Sequence, residues 1–546
     1  METDEKRQVV DDSSDKREHV DHGDVSEQVN PYETHNLKRQ LKNRHIAMIS
    51  IGGVIGTGLF LGTSKSLANG GPAGLLLGYI VMGTIVYAMM NCLGEMVSYL
   101  PVPGGHIKLA ERFVSPAFSF MLGYNYLYNW IIVLPTELSA SAVLVNYWIT
   151  PDRVSNAVWI VIFLVIVVAI NFFGAKAYGE AEFWFASIKI LTILGLIILG
   201  IIIDAGGAPP NHEVIGVKYW QDPGPWVQFH GIPGSLGRFL GFFSVLMNAA
   251  FSFIGTEIVA IAAGETSNPR RNIPKAINKV YIRIILFYVL GTFIIGLVVP
   301  SNDPKLLGSN SNANTSPFVI AINNANIQAL PHIINACLLS SAWSAASSDL
   351  YTSSRALYGL SVSGNAPKIF SRVSKKRGLP YISLFFCSAF SLLAFMGISE
   401  GSNTVFGWFQ GMTSMCGLIS WTCIAITYVR FYSGLKAQGI DRNTLPFKSP
   451  LQPFCGYYVI VFTSIIILFS GWSVFLDGGW DTATFVTNYL PLPVAILLFI
   501  GATFIRKSRF VRASEMDFHS GIAEIEQEAL NEEVPTTMMG KFFDAL

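Results

Sequence analysis

Ile51-Gly52-Gly53-Val54-Ile55-Gly56-Thr57-Gly58-Leu59-Phe60 sits inside a long apolar run from about residue 46 to residue 62. Four glycines fall within seven residues, at 52, 53, 56 and 58. Each loses more backbone freedom than alanine on entering a helix, so the stretch is poor helix material. In water that composition reads as a loop. In a bilayer, unwound backbone survives only where it lines a cavity or is buried in protein. Such a break frees amide donors and carbonyl acceptors, which can hold a small zwitterion at mid-membrane depth.

A second stretch echoes the first. Ile254-Gly255-Thr256-Glu257-Ile258 repeats the pattern of Ile55-Gly56-Thr57-Gly58-Leu59, again inside an apolar run, residues 239–263. Interrupted helices at matching places in two halves point to a transporter binding site. The alternative is that small residues simply let helices pack closely.

The rest of the composition fits a membrane setting. Of 546 residues, 51% are hydrophobic and only 13% charged, and the mean hydropathy is +0.45. That balance excludes an ordinary soluble domain. A net charge of +1 gives no sign of nucleic-acid binding. Cys92, Cys337, Cys387, Cys416, Cys423 and Cys455 lack metal-ligand spacing and read as small core residues. No signal peptide precedes the first apolar run, so that run is expected to direct insertion.

Runs long enough to span, about 20 residues each, occur near 46–66, 73–93, 118–147, 157–174, 183–203, 239–263, 281–299, 329–350, 381–398, 405–429, 456–475 and 485–505. The expected fold is therefore an all-α polytopic membrane protein with 12 transmembrane helices. Lys and Arg concentrate in the even-numbered connections and the tails, so the positive-inside rule places both termini in the cytoplasm. Five spans separate the two breaks, and that odd number inverts the second repeat relative to the first. The organisation expected is a polar cytoplasmic N-tail (1–44), a first repeat (45–203), an extracellular loop (204–237), a second repeat (238–430), two further spans (431–505) and a cytoplasmic C-tail (506–546). The one Asn-X-Ser/Thr sequon, at Asn314, then falls outside, where it is a glycosylation candidate. Lys6, Lys16, Lys38 and Lys42 in the N-tail are candidate ubiquitin acceptors, which would make ubiquitin-ligase machinery a partner; the alternative, which covers most of them, is solvated charge in a disordered tail.

Ionisable residues inside spans are functional candidates because leaving them there is costly. Lys189 lies among apolar neighbours in the fifth run and is placed to meet freed carbonyls of the first break; snorkelling to the membrane surface is the alternative. Glu257 follows the second break and either satisfies freed amides or carries a proton. Glu137 follows Pro135, which frees a carbonyl, and either faces the cavity as a proton shuttle or ties helices together. Glu95 and Asp349 read as parts of an inner gate. Serines 340, 341, 344, 347 and 348 line one face of the eighth run and either glue helices together, the reading favoured for most of them, or line a polar path. Phe251, at the start of the second break, is the leading gate aromatic.

Taken together, the motifs at 51–62 (IGGVIGTGLFLG), 93–105 (LGEMVSYLPVPGG), 173–183 (FGAKAYGEAEF), 250–269 (AFSFIGTEIVAIAAGETSNP) and 354–367 (SRALYGLSVSGNAP) resemble those of the fungal amino acid permeases in the amino acid–polyamine–organocation superfamily. The resemblance runs from about residue 37 to residue 512. It implies a leucine-transporter-like 5+5 inverted repeat plus two C-terminal helices, and proton-driven uptake of an amino acid at the plasma membrane. By motif position, it also implies that amides of Gly56, Thr57 and Gly58 hold the substrate carboxylate. Carbonyls of Val54, Phe251 and Ile254 would hold its ammonium, and Phe251 would close over it. Lys189 stands where sodium-coupled relatives bind their ion, so the coupling ion would be a proton and no cofactor or metal is implied.

Segments 218–225 and 256–273 look most like the dicarboxylic amino acid permeases, which points to glutamate and aspartate. An acidic side chain needs a cationic or donor-rich pocket, and Arg283 is the one arginine near a central span. A broad neutral or proline spectrum therefore stays open. Two other classes compete. A nutrient receptor that binds without transporting would use the long tails. A membrane enzyme would need a nucleophile–base pair, a metal cluster or a phosphate loop, and the spans carry none.

Overall fold

The computed structural model describes residues 55–520 apart from 103, 208–211, 259, 261–268, 307–315, 328, 375–377, 400 and 477, together with residues 48 and 522. Val54, Asn314 and the N-tail lysines lie outside the described residues. Everything described belongs to one unit, Leu37–Leu546.

Helices dominate, with no strand among the described residues. In chain order they are α1 (Thr57–Phe60), α2 (Gly62–Tyr99), α3 (Gly105–Phe113), α4 (Pro116–Val145), α5 (Asn156–Phe172), α6 (Ala175–Asp204), α7 (Gly234–Phe253), α8 (Pro269–Arg283), α9 (Leu290–Val298), α10 (Leu330–Val362), α11 (Tyr381–Ala389), α12 (Ser402–Ala437), α13 (Phe454–Leu468), α14 (Thr482–Tyr489) and α15 (Pro491–Ile505). A π-helical turn, Ile284–Val289, joins α8 to α9. Among the described residues, eight helical stretches are long and apolar enough to cross a membrane, or nine if the bent pair α14–α15 makes one span. The protein is a polytopic membrane protein.

Two expected crossings, 46–66 and 73–93, meet within α2. Its backbone turns a corner at Gly71 (φ 72°, ψ 177°), where Ala73 N–H donates to the Pro225 carbonyl (3.0 Å). α10 is long but serine-rich and carries Asp349 and Arg355, and it is not among the eight apolar helices.

Local chemistry sets several boundaries. Ser115 caps α4 by accepting from Phe118 N–H (3.2 Å), with Pro116 at the first helical position. Asp481 caps α14 by accepting from Thr484 N–H (2.8 Å). Burial then sorts the helices. The apolar window of α4 is 94% buried, while those of 381–398 and 454–475 are 33% buried. α4 lies between α10 and α12, and α2 runs along α7. The outer helices turn residues such as Leu191, Val461, Leu497 and Phe504 outward, as a lipid-facing surface requires.

At one end of α2, Glu95 is clasped. Arg442 makes a bidentate pair with its carboxylate (Nη2–Oε2 2.8 Å), and Ser449 donates from both its N–H (3.1 Å) and its hydroxyl (2.7 Å). The carboxylate raises the Arg442 guanidinium further above its ordinary value, chiefly through the hydrogen bond. Glu95 lies 24 residues beyond the corner at Gly71, roughly 36 Å along the helix. The chain after α15 returns to this same end. Phe518 is wholly buried against Phe113 and Phe431, with ring centroids 5.2 and 5.5 Å away.

Candidate functional site

Both glycine-rich stretches leave the helix among their described residues. Ile55 and Gly56 are non-helical, Gly56 is extended (φ −114°, ψ −157°), and α1 starts only at Thr57. α7 stops at Phe253, and Ile254 to Glu257 form a turn with Gly255 at φ 92°, a left-handed value that favours glycine. Thr256 N–H returns to the Phe253 carbonyl (3.3 Å) and Ile258 N–H to the Gly255 carbonyl (3.0 Å), so the turn satisfies part of its own backbone.

The two breaks touch. A Cβ on Gly58 would lie 2.8 Å from Ser252 Cα and 2.9 Å from Phe251 Cδ1, so no side chain fits there. A Cβ on Gly56 would lie 2.9 Å from Glu137 Oε1. Between the breaks is a cavity of about 30 Å³, bordered by Gly56, Gly58, Glu137, Phe251, Ile254 and Asp349. That is room for a water or two and not for an amino acid.

Side chains of neighbouring helices hold the breaks in place. Thr57 hydroxyl donates to Glu137 Oε1 (3.0 Å), and Ser341 of α10 donates to the freed Ile55 carbonyl (3.1 Å). Arg283 donates to the Thr256 hydroxyl (2.7 Å). Trp421 of α12 donates to Glu257 Oε2 (3.2 Å). Each satisfies a polar group that would otherwise be stranded in a low-dielectric interior.

Beside the breaks lies a buried charge cluster. Lys189 Nζ is 3.7 Å from Glu182 Oε1, both fully buried on α6. Glu182 Oε2 accepts from Ser344 (2.6 Å) and Ser348 (3.3 Å) of α10, and Tyr178 donates to Ser348 (3.0 Å). Glu137 and Asp349 also act electrostatically on Lys189.

On the other side of Phe251 a larger vestibule opens, about 500 Å³ in volume. Phe406 lines it and meets Phe251 edge to face (centroids 6.0 Å, 89°). This aromatic pair stands between the vestibule and the small cavity. The vestibule shares Asn69 and Phe229 with the Gly71 end of α2 and so faces away from the Glu95 clasp.

Of the residues singled out in the sequence, Gly56, Gly58, Glu137, Phe251 and Ile254 border the cavity, and Thr57 is tied to Glu137. Lys189 is paired with Glu182, which sequence reasoning overlooked. Their spacing of seven residues, two helical turns, places both on one face of α6 and was the available signal. Glu257 is held by Trp421 and does not border the cavity. Asp349, expected at an inner gate, borders the cavity, because it lies one turn beyond Ala345 on the same face of α10. The serines of α10 do tie helices together, through Ile55, Glu182 and Asn171.

Comparison with known proteins agrees in kind with this geometry. The "Amino acid permease" family profile matches residues 45–515. A dicarboxylic amino acid permease of Saccharomyces cerevisiae is 43% identical over 492 residues, covering 89% of this chain and 80% of that protein. A lysine-specific permease of the same yeast is 44% identical over 522 residues (94% and 84%). A proline-specific permease of Emericella nidulans is 44% identical over 497 residues (90% and 89%). These relatives are transporters, and no enzyme stands among them. With two touching helix breaks inside an apolar bundle, and a match along most of its length, the chain belongs to the amino acid permease family.

Proposed function

We propose that this protein imports free L-amino acids across the plasma membrane by proton symport, with acidic side chains preferred. The observation that carries the reading is the contact of two broken helices around a cavity flanked by buried Lys189, Glu182, Glu137 and Asp349. Amides of Gly56, Thr57 and Gly58 receive the substrate carboxylate. Carbonyls of Val54, Phe251 and Ile254 receive its ammonium. Opposed helix ends suit both charges with backbone dipoles alone. At about 30 Å³ the cavity admits an amino acid only as the breaks part and Phe251 swings from Phe406.

Lys189 acts in place of a coupling cation, and Glu137, hydrogen-bonded to the first break, relays the proton. Glu257 steadies the second break while it moves. The architecture that accommodates this is twelve spans in a leucine-transporter-like 5+5 inverted repeat with two added helices. The count takes the apolar helices together with α5, α10, the bent pair α14–α15 and a first crossing that ends near Gly70. Both termini are then cytoplasmic, Asn314 faces outward, and N-tail lysines are available to ubiquitin-ligase machinery.

The relatives named for proline and for lysine are as similar as the one named for dicarboxylic substrates. That spread favours, as second reading, a broad neutral or proline spectrum. The deciding experiment is uptake of labelled amino acids by permease-deficient cells expressing the protein, with and without a protonophore, and with a competition panel. Accumulation that collapses with the proton gradient is expected. Uptake indifferent to the gradient would remove the coupling claim.

A further inference from the structure

Among the described residues no lysine or arginine borders the central cavity, and Arg283 is turned to the Thr256 hydroxyl (2.7 Å). The vestibule is different. Its lining is rich in amides and hydroxyls, including Asn69, Asn248, Gln410 and Asn488. Two charged side chains border it, Lys65 and Asp481. Asp481 is committed to capping α14, where Thr484 N–H donates to its carboxylate (2.8 Å), and hydrogen bonds from the Thr484 side chain and then its backbone hold the carboxyl below the usual range. Lys65 has no carboxylate within 4 Å among the described residues, and it is exposed to the vestibule.

Its position is set by the helix. Leu61, Lys65 and Asn69 recur every four residues and all border the vestibule. One turn below Lys65 is Gly62, where a Cβ would lie 3.4 Å from Gln410 Nε2. Gln410 in turn donates to Asn248 Oδ1 (3.1 Å). A flexible ammonium thus stands over a floor of amides, roughly 10 Å along the helix from Gly58.

We propose that Lys65 makes the vestibule a capture site for amino acids with an anionic side chain, selecting them before they reach the breaks. The inference rests on the permease reading and deepens its substrate class. Such amino acids carry net charge −1 at neutral pH. An unpaired ammonium in a walled, partly desolvated hollow attracts them, while a neutral zwitterion gains little. Amide donors nearby complete the carboxylate's hydrogen bonds. The attraction is screened by salt over about 8 Å at physiological ionic strength.

The test compares wild type, Lys65→Gln and Lys65→Arg in permease-deficient cells, with surface amounts measured. Initial uptake of labelled glutamate and labelled alanine is followed in the same cells. Expected is a glutamate-to-alanine ratio of kcat/KM lowered about five- to tenfold in Lys65→Gln, through KM for glutamate, and restored by Lys65→Arg. Added impermeant salt should lower wild-type glutamate uptake and leave the Gln variant's ratio flat. An unchanged ratio in Lys65→Gln overturns the proposal. So does a wild type that takes up alanine and refuses glutamate. Wild type at the surface that imports no amino acid overturns the permease reading, and this proposal with it.

Discussion

Replacing Glu182 by glutamine tests whether the buried pair on α6 is an interaction or a coincidence of packing. The amide oxygen still accepts from Ser344, so shape and that hydrogen bond survive while the charge beside Lys189 disappears. At an effective dielectric of about 20, unit charges 3.7 Å apart attract by roughly 4.5 kcal/mol. Glu137 and Asp349 still act on Lys189, so the expected net loss is about 2 kcal/mol, below the 3–5 kcal/mol typical of stranding one member of an isolated buried pair. Lys189→Met should cost about the same, because it strands Glu182 instead. The double variant should recover at least about 1 kcal/mol of the sum. Apparent Tm of detergent-solubilised protein, followed by fluorescence-detected size exclusion at one fixed heating rate, gives the cycle. A fixed rate matters because large membrane proteins unfold irreversibly. A double variant whose Tm shift equals the sum of the two single shifts would refute the pairing.

Three further outcomes follow from other parts of the molecule. Gly58→Ala forces the breaks apart against Ser252 backbone, which should cost about 1–3 kcal/mol and lower uptake at least tenfold at normal surface expression; wild-type uptake and Tm together would show that the breaks are not so close. Arg442→Ala strands Glu95, so, with the termini cytoplasmic as proposed, Cys92, which lies against Gln452 beside the clasp, should react faster with a thiol reagent in inside-out vesicles, and an unaltered rate would speak against the clasp closing that end. Burial of His106 in α3 holds its imidazole at about 3, below the unfolded value of about 6.5. The unfolded chain therefore gains a proton first as pH falls, so stability is intact above about 6.5 and declines by roughly 1.4 kcal/mol per unit below it until pH approaches 3. Apparent Tm should thus fall between pH 7 and pH 5 by a margin that His106→Asn reduces, and an identical pH slope in the variant would count against it.

The breaks were legible because glycine clusters inside apolar runs have few other uses, and the positions of Glu137 and Phe251 beside them followed from their neighbours. What stayed hidden depended on helical phase. Glu182 precedes the fifth apolar run by one residue, and hydropathy cuts the helix there although α6 already begins at Ala175. Depth alone suggests an end position for Asp349, and only the phase of α10 shows that its turn borders the cavity. Arg283 looked available for an acidic substrate, yet its partner Thr256 belongs to a turn whose geometry no linear pattern reveals. Pocket membership of Lys65 had no sequence signal beyond its four-residue spacing from Leu61 and Asn69.

The polar face of α10 bears on how the protein is made. A helix carrying Asp349, Arg355 and a ladder of serines gains little by leaving the translocation channel for lipid on its own. Its hydroxyls are answered by Glu182, Asn171 and the Ile55 carbonyl, groups supplied by segments synthesised much earlier. Integration of this segment must therefore wait for those partners to be in place, so a truncated chain ending soon after residue 362 but lacking α6 should leave it outside the bilayer.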